Sequence, residues 1–325
     1  MNDYIIACDV GGTRIKAGII DADGNLSHSE EVDSQAHLGT DALLEALKTL
    51  IKKRLPVSIG KGNCLGIGLG LTGPVDSNLG VILLPGKFDG LEGFPIVPLL
   101  REEFKLPVFA ENDGRLAAYA AKYYGNAKDV DWAVVITLGT GVGSGVIING
   151  EILVDPHFNF GIQIGHLVMD ASNNKFCLTG NYGTAETLCS ATALVNQVRT
   201  AIQRGIPSSL SELYFQDPLK IGFKEIAEAC REGDELCLRE LEMWKEHLTV
   251  LLINATHAYG PQKIILSGGA SLASDIFLDD VQERVNKRVF RFPKNEGVPI
   301  EISIIQEYAG VYGAAAMLHE KLKKQ

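Results

Sequence analysis

The sequence predicts a two-domain α/β protein, and three observations carry the prediction. The chain has 325 residues, beyond the roughly 250 at which a single core stops growing. Short apolar runs of strand character alternate with longer stretches of helical spacing. An apolar strand, a glycine tip carrying a Thr and a second apolar strand occur together twice, around Gly11 and again around Gly139. Two related halves, each with a glycine hairpin, suggest a ligand gripped from both sides.

The elements follow in order. Residues 4–8 read as a buried strand, Asp9-Val10-Gly11-Gly12-Thr13-Arg14-Ile15-Lys16 follows, and residues 17–21 form a second apolar run. A hairpin is expected whose Gly-Gly tip can adopt positive φ and can approach a phosphate closely, offering it backbone N–H groups. Thr13 adds a hydroxyl, Lys16 a cation, and Asp9 a carboxylate able to hold Mg²⁺ through water. An ordinary solvated hairpin explains these residues equally well. A third strand is expected at Leu26–Asp33, a helix capped by Thr40-Asp41 and ended by Pro56, and a buried strand at Cys64–Leu71. Gly68-x-Gly70-x-x-Gly73 has the spacing of a dinucleotide fingerprint, but turn chemistry from Pro74 to Gly80 follows it instead of a helix. A dehydrogenase is rejected on that context. A strand at 81–84, a Gly- and Pro-rich loop at 85–98 carrying Phe88, Leu91 and Phe94, a helix at Ile96–Phe104 and a strand at 108–110 come next.

At 111–121 a strand runs into an Ala-rich helix with Asn112-Asp113 at the junction. Helix capping is the favoured reading of that pair. The functional alternative is an acid and an amide that bind a hydroxyl and take its proton. A strand at 132–137 turns through residues 138–145 into a strand at 146–148, and Asn149-Gly150 signals a type I′ turn. His166 stands alone between glycine and leucine, which usually means a structural histidine. Residues 173–182 read as polar loop and 184–202 as one helix, with Glu186 in its first turn where the dipole favours an acid. Residues 204–218 read as a connection, followed by helices at 222–231 and 234–258. A strand at 263–266 breaks at Ser267-Gly268-Gly269-Ala270, where backbone can approach a ligand. A helix at 277–289, a strand at 300–304 and a small-residue helix from 307 complete the pattern.

Hydrophobic residues make up 46% and charged residues 22%, as in ordinary globular proteins, and the net charge is −10. Such acidity argues against nucleic acid as a main partner, because phosphate backbones call for clustered cations. The six cysteines form no Cys-x-x-Cys pair, and Met1-Asn2-Asp3 leads straight into the first strand. Reduced thiols and a cytoplasmic location without a signal peptide are expected. No apolar run approaches the ~20 residues of a membrane span.

Taken together, Asp9-x-Gly11-Gly12-Thr13-x-x-Lys16, Glu111-Asn112-Asp113, Gly139-Thr140-Gly141-x-Gly143, Gly165-His166 and Ser267-Gly268-Gly269 resemble the ROK family of sugar kinases, repressors and uncharacterised relatives. The resemblance covers nearly the whole chain. It implies two actin-like (ribonuclease H-like) domains flanking a nucleotide and sugar cleft. Residues 1–122 would form the first and 123–308 the second, with the helix at 309–325 packing back on the first. It implies ATP and Mg²⁺ held by Asp9, Gly11, Gly12, Thr13, Lys16, Thr137, Gly139, Thr140 and Gly141, with Gly268 and Gly269 beside the nucleoside. Asp113 would be the general base, and Gly73, Asn112, Asp113, Gln163, His166 and Glu186 would meet the sugar. The implied activity is ATP-dependent, glucokinase-like phosphorylation of a hexose or hexose derivative at its 6-hydroxyl, in a homodimer.

Two departures from the family pattern bear on this. Family kinases usually carry Glu-x-Gly-His, and here Gln163 stands at the Glu position; an amide brings no charge to the sugar. The usual zinc motif has three cysteines, of which Cys177 remains while Thr179 and Thr184 replace the others. With His166 and Cys177 alone no four-coordinate zinc site is expected. The loop at 85–98 also lacks the Asn and Trp common in glucose-type members. A repressor reading is discounted because the first strand begins by Tyr4 and the chain is acidic. A catalytically weak sugar- or nucleotide-binding relative is the remaining alternative.

Overall fold

The structure, a computed structural model, describes residues 3–56, 62–83, 90, 92–157, 162–177, 179–290 and 297–324. The chain divides into two compact units: Met1–Asp129, Gly145–Ile162 and Ile304–Gln325 form the first, Val130–Ser144 and Gln163–Ser303 the second. The division expected after residue 122 thus falls after residue 129, and residues 145–162, assigned to the second domain from sequence, cluster with the first. No helix among the described residues is long and apolar enough to cross a membrane.

The first unit is built on strands β1 (Tyr4–Val10), β2 (Arg14–Asp21) and β3 (Leu26–Asp33), helix α1 (Thr40–Arg54), strands β4 (Cys64–Leu71), β5 (Val75–Asp76) and β6 (Val81–Ile82), helix α2 (Ile96–Phe104), strand β7 (Val108–Asn112) and helix α3 (Asp113–Tyr123). The sheet order is β3-β2-β1-β4-β7, antiparallel among the first three and parallel from β1 to β7. Its register lines up Val10, Leu71 and Asn112 at the carboxyl ends of three parallel strands, the edge where α/β sheets bind ligands. Residues 74–80, read only as turn, contain β5, which pairs antiparallel with β6 in the strand expected at 81–84. Phe94 packs against the core, whereas Leu84, Phe88 and Leu91 lie outside the described residues.

Leu43, Leu47, Leu50 and Ile51 place one face of α1 in the core, each contributing about 1.5–3 kcal/mol on burial. The cap of α1 differs from expectation. Gly39 is the N-cap, at φ 107°, and Thr40 is already helical. The chain enters from a 3₁₀ turn over Ala36–Leu38, and glycine reaches the required left-handed φ without a Cβ penalty. The tip after β1 does not use the positive φ open to glycine: neither Gly11 nor Gly12 has it.

The second sheet has the order β10-β9-β8-β11-β12, from β8 (Ala133–Leu138), β9 (Val142–Ile148), β10 (Glu151–Ile152), β11 (Lys263–Ser267) and β12 (Ile300–Ile302). Asn149 and Gly150 join β9 to β10 with φ of 53° and 72°, the paired positive values of a type I′ turn. Between β10 and β11 lie α4 (Ala185–Cys189), α5 (Ala191–Gln203), α6 (Ser211–Gln216), α7 (Phe223–Arg231) and α8 (Glu235–Tyr259); α9 (Leu278–Arg288) precedes β12. The single helix expected at 184–202 is two. Ser190 is extended and its side chain accepts from Ala193 N–H, so it ends one helix and caps the next. Its carbonyl accepts from Trp244 Nε1 at 3.1 Å, and Ala191 N–H donates to the Gly139 carbonyl at 2.9 Å. The connection at 204–218 contains α6, with Phe215 exposed.

The last helix, α10 (Ala309–Lys323), belongs to the first unit and packs on α3, β4 and β1. The contact is close because Gly68 lacks a side chain: a Cβ there would lie 2.2 Å from the Ala314 carbonyl oxygen.

Candidate functional site

In the first unit the sequence-singled residues gather at the carboxyl edge of the sheet. Asp9 pairs across β1–β2 with Lys16, so both side chains share a face. Lys16 Nζ nevertheless donates to the Glu307 carbonyl at 3.0 Å, sits 5.4 Å from the centroid of the Tyr308 ring and lies 3.7 Å from Glu31. The Asp9 carboxylate lies against the first turn of α10, where a Cβ on Gly310 would be 2.2 Å from Oδ2. Burial, then the nearby Asp113 charge, push the Asp9 carboxyl up to about 7, with Lys16 opposing.

The hairpin tip is tight. Gly11 N–H donates to the Arg14 carbonyl at 2.8 Å, so this amide is used within the turn and is not offered outward as the sequence suggested. Ser34, which sequence reasoning passed over, braces the tip: its hydroxyl donates to the Gly12 carbonyl at 2.9 Å and its N–H to the Thr13 carbonyl. The amides of Gly12 and Thr13 have no partner among the described residues.

Asn112 is the N-cap of α3, as the favoured reading had it. Its Oδ1 accepts from Gly114 N–H at 3.0 Å and Arg115 N–H at 3.3 Å. Its Nδ2 donates to the Gly73 carbonyl at 2.7 Å and to Asp113 Oδ1 at 3.0 Å. An amide has two donors and two acceptor sites, so protein groups fill all four. Asp113, the first residue of α3, is half-buried, and its Oδ1 also accepts from Gly114 N–H at 2.8 Å.

The second unit holds the other group. Gly143 N–H donates to Thr137 Oγ1 at 3.1 Å and Gly139 N–H to the Gly141 carbonyl at 3.0 Å, closing the β8–β9 tip. Glu186 lies on that tip: Oε2 accepts from Val142 N–H at 3.3 Å, and a Cβ on Gly141 would come 2.1 Å from the same oxygen. Gln163 and His166 share a 3₁₀ turn over Ile164–His166, which is tied to β9 by Ile164 N–H donating to Ser144 Oγ at 3.1 Å. His166 Nδ1 is buried without a partner among the described residues. Gly268 has φ 87° and leads from β11 into the 3₁₀ turn that begins at Gly269. Cys177 Sγ lies 3.0 Å from Thr179 Oγ1. No group of three or more His, Cys, Asp or Glu is placed to hold a metal among the described residues. Thr140 and Glu186 also line a cavity of about 830 Å³ with Thr187, Ser190 and Gln197; nothing in the helical pattern of α5 distinguished its polar face from a solvated one.

Chemically, open amides at a glycine tip suit an anion, and a carboxylate with raised proton affinity beside a second carboxylate suits a divalent cation. Without a cation, Asp9 makes stability depend on pH. Its native pKa lies above the unfolded value of 3.8. Its contribution is therefore fully present below about pH 4 and is lost as pH rises through about 7, by about 1.4 kcal/mol for each tenfold difference in proton affinity. Asp9→Asn should match the parent near pH 4 and be the more stable at pH 8, measured by urea unfolding in chelator; equal stability at both pH values contradicts this.

The fold is α/β and of the actin-like two-domain kind. The chain belongs to the ROK family, whose family model matches residues 5–321. It is 27% identical over 322 residues to a glucokinase of Thermotoga maritima, covering 98% of each chain. It is 25% identical over 316 residues to a xylose repressor of Caldicellulosiruptor bescii, covering 97% of this chain and 77% of that one. Among solved structures it resembles a ROK family glucokinase from Streptomyces griseus in complex with glucose and AMPPNP, with a TM-score of 0.83, 23% identity, and coverage of 98% of this chain and 99% of that one.

Proposed function

We propose that the protein is an ATP-dependent sugar kinase acting on a hexose or hexose derivative at its 6-hydroxyl. Family membership alone supports sugar recognition, since its relatives include repressors as well as glucokinases. The observation that carries the kinase reading is Asp113. It is a carboxylate fixed by two hydrogen bonds at a strand-to-helix junction, in the same unit as the Gly11 tip and Asp9.

Asp113 is assigned as the general base that takes the proton of the attacking hydroxyl. Asn112, its hydrogen-bonding capacity filled by the protein, is assigned to hold Asp113 and not the sugar. Asp9 would hold Mg²⁺ through water, and Gly12, Thr13 and Lys16, with Thr137, Gly139, Thr140 and Gly141 of the second unit, would hold ATP phosphates. Gly268 and Gly269 would lie beside the nucleoside. Bound ATP supplies the phosphoryl group, and Mg²⁺ offsets charge on it. Gly73, Gln163, His166 and Glu186 remain the candidates for sugar contact.

The second reading is a catalytically weak sugar- or nucleotide-binding relative. It is favoured by the uncharged Gln163 and by Glu186 being engaged with the β8–β9 tip. A coupled ADP-release assay across hexoses, amino sugars and N-acetylated sugars separates the two. A kinase releases ADP faster with at least one of them. If none raises release above the sugar-free rate, the binding reading replaces it.

A further inference from the structure

We propose that Glu111, Arg115 and Ser77 form a buried triad that positions Asn112 and Asp113; the inference rests on the reading of Asp113 as the base and adds the residues that hold it. Glu111 and Arg115 are each 1% exposed and Ser77 6%. Arg115 Nη2 donates to Glu111 Oε1 at 2.5 Å, and the same oxygen accepts from Asn112 N–H at 2.7 Å. The Ser77 hydroxyl donates to Glu111 Oε2 at 2.9 Å, and Arg115 Nη2 reaches Ser77 Oγ at 3.4 Å. Every one of these partners donates to Glu111, the pattern of an ionised carboxylate. Burial pushes its pKa up and the guanidinium opposes that.

A buried ion pair is weak evidence for stability, because apolar residues of the same volume often hold a fold as well. This pair also sits where an apolar pair could not replace its geometry. Glu111 is the penultimate residue of β7, directly before Asn112, and Arg115 lies four residues on in the first turn of α3, so the bridge spans Asn112 and Asp113. Glu111 takes the Asn112 N–H while the Asn112 side chain caps α3 and donates to Asp113. Ser77, just after β5, and Gly73, just after β4, tie the neighbouring segment to the same point. The base is therefore fixed through Asn112 at both its backbone and its side chain. None of the three triad residues is assigned contact with substrate; they are positioning residues.

The test reads amide hydrogen exchange at residues 112–115 and steady-state kinetics in the full-length protein. Arg115→Met leaves the Glu111 carboxylate buried without its cation. Exchange there should speed up, and kcat should fall about tenfold or more while KM for ATP changes less than about twofold, since misplacement of a base acts on the chemical step. The double variant Glu111→Gln with Arg115→Met removes the charge but keeps an oxygen for Asn112 N–H. It should slow exchange again and recover most of kcat. Unchanged exchange at 112–115 in Arg115→Met, or no recovery in the double variant, overturns the proposal. If Arg115→Met does not fold, Ser77→Ala is read in the same assays, with faster exchange expected and unchanged exchange overturning it. If the parent protein itself shows no sugar-dependent turnover, the kinase reading fails, and the exchange results alone decide the triad.

Discussion

Asp113→Asn is expected to lower kcat by about 10²- to 10⁴-fold, the usual range for removing a general base. The substitution separates position from chemistry. An Asn oxygen can still accept from Gly114 N–H and Asn112 Nδ2, the two bonds that fix Oδ1 in the parent, but it cannot take a proton at neutral pH. Unfolding should therefore move little, while sugar binding measured by calorimetry should persist. Asp113→Ala removes the anchoring bonds as well and should cost stability on the scale of a lost hydrogen bond, about 1 kcal/mol. Near-parental turnover in Asp113→Asn would show that another group takes the proton.

The second large effect is expected at Gly310, which no motif in the sequence marked. In the first turn of a helix, Gly→Ala normally stabilises, by up to about 1 kcal/mol. Here the new Cβ would sit 2.2 Å from Asp9 Oδ2, 2.3 Å from Cγ and 2.8 Å from Cβ. The short Asp9 side chain must swing away, and the carboxylate assigned to the cation moves with it. Gly310→Ala should stay folded, with a melting temperature within several degrees of the parent. Its kcat should nevertheless fall about 10²-fold, the cost of an ångström-scale misplacement. Full activity would mean that Asp9 does not need its present position. A large loss of stability without loss of kcat per folded molecule would mean that the glycine serves packing only.

What could be read from the sequence was local and periodic. Leu26–Asp33 was placed by the Gly24-Asn25 turn before it, and Cys64–Leu71 by its apolar run, because turn residues and apolar runs mark strands directly. Asn149-Gly150 specified its turn for the same reason. The capping reading of Asn112 was right because N-cap preference is a local rule. What escaped depended on partners distant in sequence. Ser190 breaks a helix whose periodicity runs through it, since its carbonyl answers Trp244 and the next amide answers Gly139. Glu186 read as a dipole-favoured acid, and only the fold shows it resting on Gly141 and Val142. Arg115 lies in the Ala-rich helix without a motif of its own, and its burial against Glu111 and Ser77 has no sequence signature. The glycine tip was recognised, but its φ values and the use of the Gly11 amide were not, because a tight turn can close by more than one backbone route.

The most direct measurement is phosphorus NMR of the purified protein with ATP, Mg²⁺ and the hexose panel. A sugar-phosphate resonance should grow in step with ADP for at least one sugar, and should be missing over the same interval with Asp113→Asn. If ATP stays intact, or gives ADP and inorganic phosphate at the same rate with and without every sugar, phosphoryl transfer to sugar is contradicted and the protein is a binding member of its family.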